Sequence, residues 1–152
     1  MKRFACSIVL LCLVMFGVAY GVQAASEEEA KAFAQKAAVF AKEQGKERAL
    51  AEFNNQKGSF VKGEMYIFAN DFYGTCLANG GDPRLVGQNQ INLHDVTDLY
   101  FMRDMIEVAK TKGGGWSNYL WRNPVTMKIQ AKLTWVQRVQ GTDYFVGCGV
   151  YK

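Results

Sequence analysis

The sequence predicts an α+β domain, and three observations carry that prediction. Hydrophobic side chains recur every three or four residues soon after residue 24, they alternate every second residue in the C-terminal third, and clusters of Gly, Asn, Asp and Pro punctuate the change. Composition agrees: 49% hydrophobic and 21% charged residues exclude a disordered chain, a collagen-like repeat and a polytopic membrane protein. The single histidine, His94, excludes a multi-histidine metal site and leaves a Ser-His-Asp triad only one base. Four cysteines without a CxxC pair lack the spacing of a redox dithiol, a zinc ribbon or a c-type haem attachment.

Residues 1–24 read as an export signal. Lys2 and Arg3 precede an apolar run over residues 8–20, and Val22-Gln23-Ala24 is a small-residue cleavage site, placing the cut after Ala24. The rival reading is an uncleaved anchor, because the apolar stretch counted from Phe4 reaches roughly 17 residues, the bottom of the spanning range. Leu11 before Cys12 argues against lipidation there. Cleavage leaves residues 25–152 as one domain in the periplasm or outside the cell, and removes Cys6 and Cys12. The remaining net charge is too small to suggest nucleic acid. Its distribution is uneven: residues 108–152 hold seven Lys or Arg and one acid, Asp143, whereas residues 25–107 are net acidic. Outward display of Lys and Arg by strands accounts for this, as does a positive field drawing in a small anion.

Ser26-Glu27-Glu28-Glu29 is a capping box, so a helix starts there, with a narrow stripe of Ala30, Phe33, Ala37, Phe40 and Ala41. Gly45 interrupts it, and residues 46–53 form a second short helix. Residues 64–70 are aromatic and branched, the first strand; residues 71–74 turn into a second strand at 75–78, and Asn79-Gly80-Gly81-Asp82-Pro83 makes an abrupt exit. Residues 96–110 are helical, with Leu99, Met102, Ile106 and Ala109 on one face and Asp95 placed to cap the start. Gly113-Gly114-Gly115 ends that helix. Strands follow at 116–121, 127–139 and 144–151, separated by turns at Asn123-Pro124 and at residues 140–143. In the middle one Ile129, Ala131, Leu133 and Trp135 alternate with Lys128, Gln130, Lys132 and Thr134. Helix, hairpin, helix and three-strand meander imply an antiparallel sheet with helices on one side or end.

Five stretches in this order resemble the bacterial single Cache domain. They are Gly45-Lys-Glu-Arg-Ala-Leu-Ala-Glu-Phe-Asn54 with Gly58-Ser-Phe-Val-Lys-Gly-Glu-Met-Tyr-Ile-Phe68; Leu77-Ala78 with Leu85-Val86-Gly87-Gln88-Asn89; Gly115-Trp116-Ser-Asn-Tyr119-Leu-Trp121-Arg-Asn123-Pro124; Lys132; and Tyr144-Phe145-Val146-Gly147-Cys148-Gly149-Val150-Tyr151. The resemblance covers about residues 30 to 151. It implies a PAS-like fold, a long N-terminal helix packed on a five-stranded antiparallel sheet, and binding of small ligands, often short carboxylates, outside the cytoplasm. It also implies that the first strand lies between the second and the last. Cys76 and Cys148 would then sit two strand spacings apart, about 9.5 Å, beyond disulfide reach, so both are expected free. Two departures stand out. Asn79-Gly80-Gly81 replaces the histidine and proline that the family more often has after the Leu-Ala pair, and the sequence stops at Lys152 as its last strand ends, so direct transmembrane signalling is not expected.

A pocket here should be apolar with a few orienting polar groups. The ligand-binding candidates are Tyr66, Phe68, Met102, Tyr119, Trp121 and Lys132. Tyr66 and Phe68 share a face of their strand, as do Tyr119 and Trp121, and the resemblance places both strands near the cavity. Lys132 best matches the family's lysine after the Asn-Pro turn, and its ammonium suits a carboxylate; equally, alternation lines it up with Lys128 on a solvated face. Met102 offers adaptable wall or plain core, Arg103 is the rival anion partner, and Trp116 and Trp135 read as packing. His94 reads as a loop residue. The glycine run precedes a strand rather than a helix, which gives phosphate binding little support. No catalytic, metal or cofactor site is expected. The function expected is extracytoplasmic sensing of a small organic acid without catalysis, as a monomer or weak dimer, in partnership with a membrane receptor or kinase. The alternative is an accessory or structural module, its cavity filled by its own Tyr and Trp side chains.

Overall fold

The computed structural model describes residues 25–152, so the expected export signal lies outside the described residues. Helix α1, Glu27–Gln44, opens as its sequence prescribes. The Ser26 hydroxyl accepts from the Glu29 amide at 3.2 Å, and the Ser26 amide donates to the Glu29 carboxylate at 2.9 Å. That reciprocal cap satisfies two amides that the helix itself cannot. Gly45, at φ 81°, ends α1 in a conformation open mainly to glycine and leads straight into α2, Lys46–Asn54. The buried stripe of α1 is Ala30, Ala34, Ala37, Ala38 and Ala41, small enough to bring the helix close to the sheet. Phe33 and Phe40, expected within the stripe, flank it half-buried. Their rings pack 5.8 and 5.1 Å from Phe60, which fastens α1 to the chain leaving α2.

A two-stranded ribbon follows, β1 Val61–Lys62 with β2 Met65–Tyr66, and then the main strands: β3 Phe68–Asp71, β4 Cys76–Asn79, β5 Gly114–Arg122, β6 Ile129–Arg138 and β7 Tyr144–Tyr151. These last five form an antiparallel sheet in the order β4-β3-β7-β6-β5. The strand expected at 64–70 is thus divided at Ile67, whose amide donates to the Phe60 carbonyl at 3.0 Å. β7 is last in sequence but central in the sheet, and all eight of its residues are buried. A strand covered on both faces needs no polar alternation, and Tyr144-Phe-Val-Gly-Cys-Gly-Val-Tyr151 has none.

Helices α1 and α2 cover one face; the other is covered by α3, Phe101–Lys112, packed on β5 and β6. This helix starts later than the expected Val96. Asp98, in the left-handed region at φ 62°, breaks the helical path, and Leu99, expected on the buried stripe, is 40% exposed. Asp95 therefore caps a loop instead, accepting from the Thr97 amide at 2.8 Å and the Leu99 amide at 3.3 Å. Met102, Ile106 and Ala109 are buried as expected, joined by Phe101 and Met105. β3 does lie between β4 and β7, and Cys76 and Cys148 are free and buried. Among the described residues no helix is long and apolar enough to cross a membrane.

Candidate functional site

Strand β6 buries the polar half of its alternation. Lys132, Thr134 and Val136 are buried, whereas Lys128 is exposed and Ile129 is 58% exposed. The reason is tertiary: α3 and the loop before it roof the face of the sheet opposite α1, so the lysine has no open side. Register sets its neighbours, with Tyr119 of β5 and Tyr151 of β7 directly across from Lys132. Space for its long side chain comes from β7. A methyl group at Gly149 would lie 2.8 Å from Lys132 Cε, and one at Gly147 would enter the Phe68 ring. The Gly147-Cys148-Gly149 spacing thus leaves a trough that the aliphatic stem and the phenyl ring fill.

Lys132 Nζ donates to the Tyr66 hydroxyl at 2.8 Å and sits 4.0 Å from the centre of that ring and 5.0 Å from that of Tyr151. Tyr151 donates to the Arg122 carbonyl at 3.0 Å, so the 3.4 Å contact between the two hydroxyls is donated by Tyr66. Tyr119 meets Thr134 at 3.3 Å. Lys132 makes no ion pair with a carboxylate among the described residues. Burial pushes its ammonium below the usual lysine range, against weaker support from the surrounding Tyr119, Cys148 and Glu64. The same burial pushes the Tyr66 phenol up to about 12 and raises those of Tyr119 and Tyr151. The cluster therefore offers a proton-rich, anion-free pocket.

All six residues singled out in the sequence, Tyr66, Phe68, Met102, Tyr119, Trp121 and Lys132, line one cavity of about 20 Å³. That is room for one water molecule. Asn79, Gln90, Phe101 and Met105 complete its wall. Met105 was findable, three residues on from Met102 along α3, and Tyr151 follows from the register opposite Lys132. Gln90 carries no such signal: it arrives because its loop folds back, its side chain accepting from the buried Asn70 amide at 2.9 Å. Asn79 stands where the family more often has histidine, and its side-chain Oδ1 accepts from the Gly81 and Asp82 amides at 3.0 and 2.8 Å. Arg103 is not in the cavity; it binds the Ile91 carbonyl and Asn92 at the surface. Trp116 and Trp135 pack edge to face, centroids 5.2 Å apart, outside the cavity lining. His94 lies in the loop before α3.

Tyr66 and Trp121 also form part of the wall of a second space, an open groove of about 800 Å³. His94 and Asp95 lie along it. The Asp95 carboxylate accepts from the Thr97 hydroxyl at 2.6 Å and from the Leu120 amide at 2.9 Å, the latter tying the loop to the free edge of β5; these bonds, the hydroxyl's foremost, hold its pKa down at about 2. Arg84, also on the groove, is paired with Asp82 through two 2.8 Å bonds.

A long N-terminal helix on one face of a five-stranded antiparallel sheet, with a small cavity on the other, is the architecture of PAS-like sensor domains. The chain belongs to the single Cache family: residues 20–152 match the family model described as Single Cache domain 2. It is 31% identical over 86 residues to the sensor histidine kinase MctS of Rhizobium johnstonii, covering 57% of this chain and 18% of that one. It is 25% identical over 86 residues to the methyl-accepting chemotaxis protein McpP of Pseudomonas putida, covering 57% of this chain and 16% of that one. The chain thus spans under a fifth of the length of these relatives. Among solved structures, a methyl-accepting chemotaxis protein from Vibrio parahaemolyticus has the same fold, with a TM-score of 0.70 at 20% identity over 82% of this chain and 86% of that one. A Cache chemosensory domain solved for carboxylic acid recognition superposes with a TM-score of 0.64 at 23% identity, over 82% and 86% of the two chains.

Proposed function

We propose that this domain binds a short carboxylate outside the cytoplasm, at Lys132, and passes the bound state to a membrane receptor or kinase without doing chemistry on the ligand. One observation carries the reading: a buried lysine with a tyrosine hydroxyl for a partner and no carboxylate. An uncompensated buried ammonium is costly, and an entering carboxylate supplies the missing charge with good hydrogen-bond geometry. Tyr119 flanks the lysine and keeps its proton at neutral pH, so it can donate to the second carboxylate oxygen. The carboxylic acid recognition named for one structural neighbour supports the same ligand class. Residues 1–24 serve as an export signal cut after Ala24.

The volume of the cavity, about 20 Å³, favours a second reading, in which its own side chains fill it and the domain is an accessory module that binds no metabolite. Thermal unfolding of the full chain, as processed in its host, against a panel of short organic acids separates the two. Ligand at a hundred times its dissociation constant adds about 2.7 kcal/mol, a shift of several degrees. A shift lost in Lys132→Ala and weakened in Tyr119→Ala supports the carboxylate site; no shift from ligand-stripped, folded protein supports the accessory module.

A further inference from the structure

The cavity beside Lys132 cannot hold even a small organic acid as it stands, so a ligand that reaches the ammonium must keep part of itself elsewhere or displace a wall. The structure offers one direction for both. Tyr66 and Trp121 separate the 20 Å³ cavity from the 800 Å³ groove and line both spaces. The hydrogen bonds from Lys132 through Tyr66 and Tyr151 end on the carbonyl of Arg122, itself a groove residue. Trp121 is the more exposed part of this wall: it is half-buried on the outermost strand and rests edge-on against Phe101, centroids 5.4 Å apart, where the loop enters α3, and against Tyr119, centroids 6.1 Å apart. Tyr66 is pinned by contrast, its ring set against Gly81, where a methyl group would come within 2.6 Å of it.

The groove is apolar where a folded surface would ordinarily be polar. Pro83, Leu85, Val96, Leu120, Met127 and Ile129 line it, and Val96, Met127 and Ile129 are 78%, 56% and 58% exposed. Met127 and Asp98, the two non-glycine residues in the left-handed region among the described residues, lie on the two loops that border it. Holding a methionine at φ 62° costs energy, and such outliers gather at ligand clamps. Arg122 also lines the groove, together with Arg84 and the carboxylates of Asp82 and Asp95.

We infer that the ligand is an unbranched monocarboxylic acid with an apolar tail, its carboxylate on Lys132 and its tail lying past Trp121 in the groove. This rests on the carboxylate reading above and adds the chain length. A two-carbon acid leaves the groove empty; longer acids bury one methylene after another against Leu120 and Ile129. Each buried methylene raises affinity about threefold to fourfold.

The test is calorimetric titration of the full chain with acetate, butyrate, hexanoate and octanoate, with 1-hexanol as the uncharged control, repeated on Lys132→Met and Ile129→Asp. The inference expects affinity to climb about threefold to fourfold per methylene, Ile129→Asp to flatten the climb, and both hexanol and Lys132→Met to show weak binding or none. Acetate binding that depends on Lys132 but does not strengthen along the series overturns the tail site and leaves the carboxylate reading standing. Octanoate binding that survives Lys132→Met, or no binding by any acid, overturns both.

Discussion

Lys132 and Tyr66 stand 66 residues apart in the chain and meet at 2.8 Å in the interior, one the only buried lysine among the described residues and the other its only hydrogen-bond partner. The bond joins the central sheet to the β1-β2 ribbon, and Tyr66 passes it on to Tyr151. Tyr66→Phe keeps the ring and removes the acceptor, leaving the amine buried without a partner. The expected cost is about 1–3 kcal/mol, read from denaturant melts at pH 7; a change below a few tenths would show that the bond contributes nothing net.

Lys132→Met keeps the stem and removes the charge. The variant should fold as well as the parent or better, by up to about 3 kcal/mol, while losing any response to organic acids. Its pH dependence should differ in a defined direction. The folded-state pKa of Lys132 is lowered, so between that value and about 10.4 the unfolded chain holds more protons than the folded one, and stability from this group rises with pH. Below the folded-state value the full penalty of the buried ammonium is present. Denaturant melts from pH 7 to 10 should therefore show a smaller rise, or a steeper fall, for Lys132→Met than for the parent; parallel curves would mean that the lysine is solvated.

Gly149→Ala places a methyl group against Lys132 Cε, the Leu133 carbonyl and the Thr134 hydroxyl. The carbonyl is fixed by the ladder, so β7 itself must shift as well as the Thr134 hydroxyl and the lysine stem. Overpacking of this kind costs about 1–3 kcal/mol, and it should both lower the melting temperature and weaken acid binding. A variant with parental stability and affinity would show that β7 shifts freely.

Burial pushes the Cys76 and Cys148 thiols up to about 11 and about 12. Neither forms appreciable thiolate at pH 8, and neither reaches solvent. Iodoacetamide should leave both unlabelled in the native protein and label both in guanidinium chloride, with intact mass as the readout. An uncleaved chain would also show labels on Cys6 and Cys12, so the same spectrum tests the cut after Ala24.

Much of the fold was legible before folding, and the reasons are local. The Ser26-Glu29 box, the glycine stops and the alternation that pairs Tyr119 with Trp121 and Tyr66 with Phe68 depend on neighbours a few residues away; that both strands and Lys132 belong at a cavity is implied only by the family resemblance, and the six candidate residues do line one cavity. The start of α3 was misread because periodicity continues through residues 96–100 while the left-handed Asp98 and the Asp95 bonds break the helix there. Arg103 is a rival to Lys132 for an anion in the sequence, where only the resemblance to the family favours the lysine.

By itself the sequence determined most of the helices and strands and that the sheet is antiparallel, because caps, turns and alternation are written in residues close together. Only the tertiary structure decided that Lys132 is buried rather than solvated and that Gln90 joins its cavity. It also decided that a large apolar groove lies one aromatic wall away. Each of these depends on what a distant segment lays over the sheet: burial is set by the roof of α3 and its loop, and a strand's alternation states two faces without stating which of them the rest of the chain will cover.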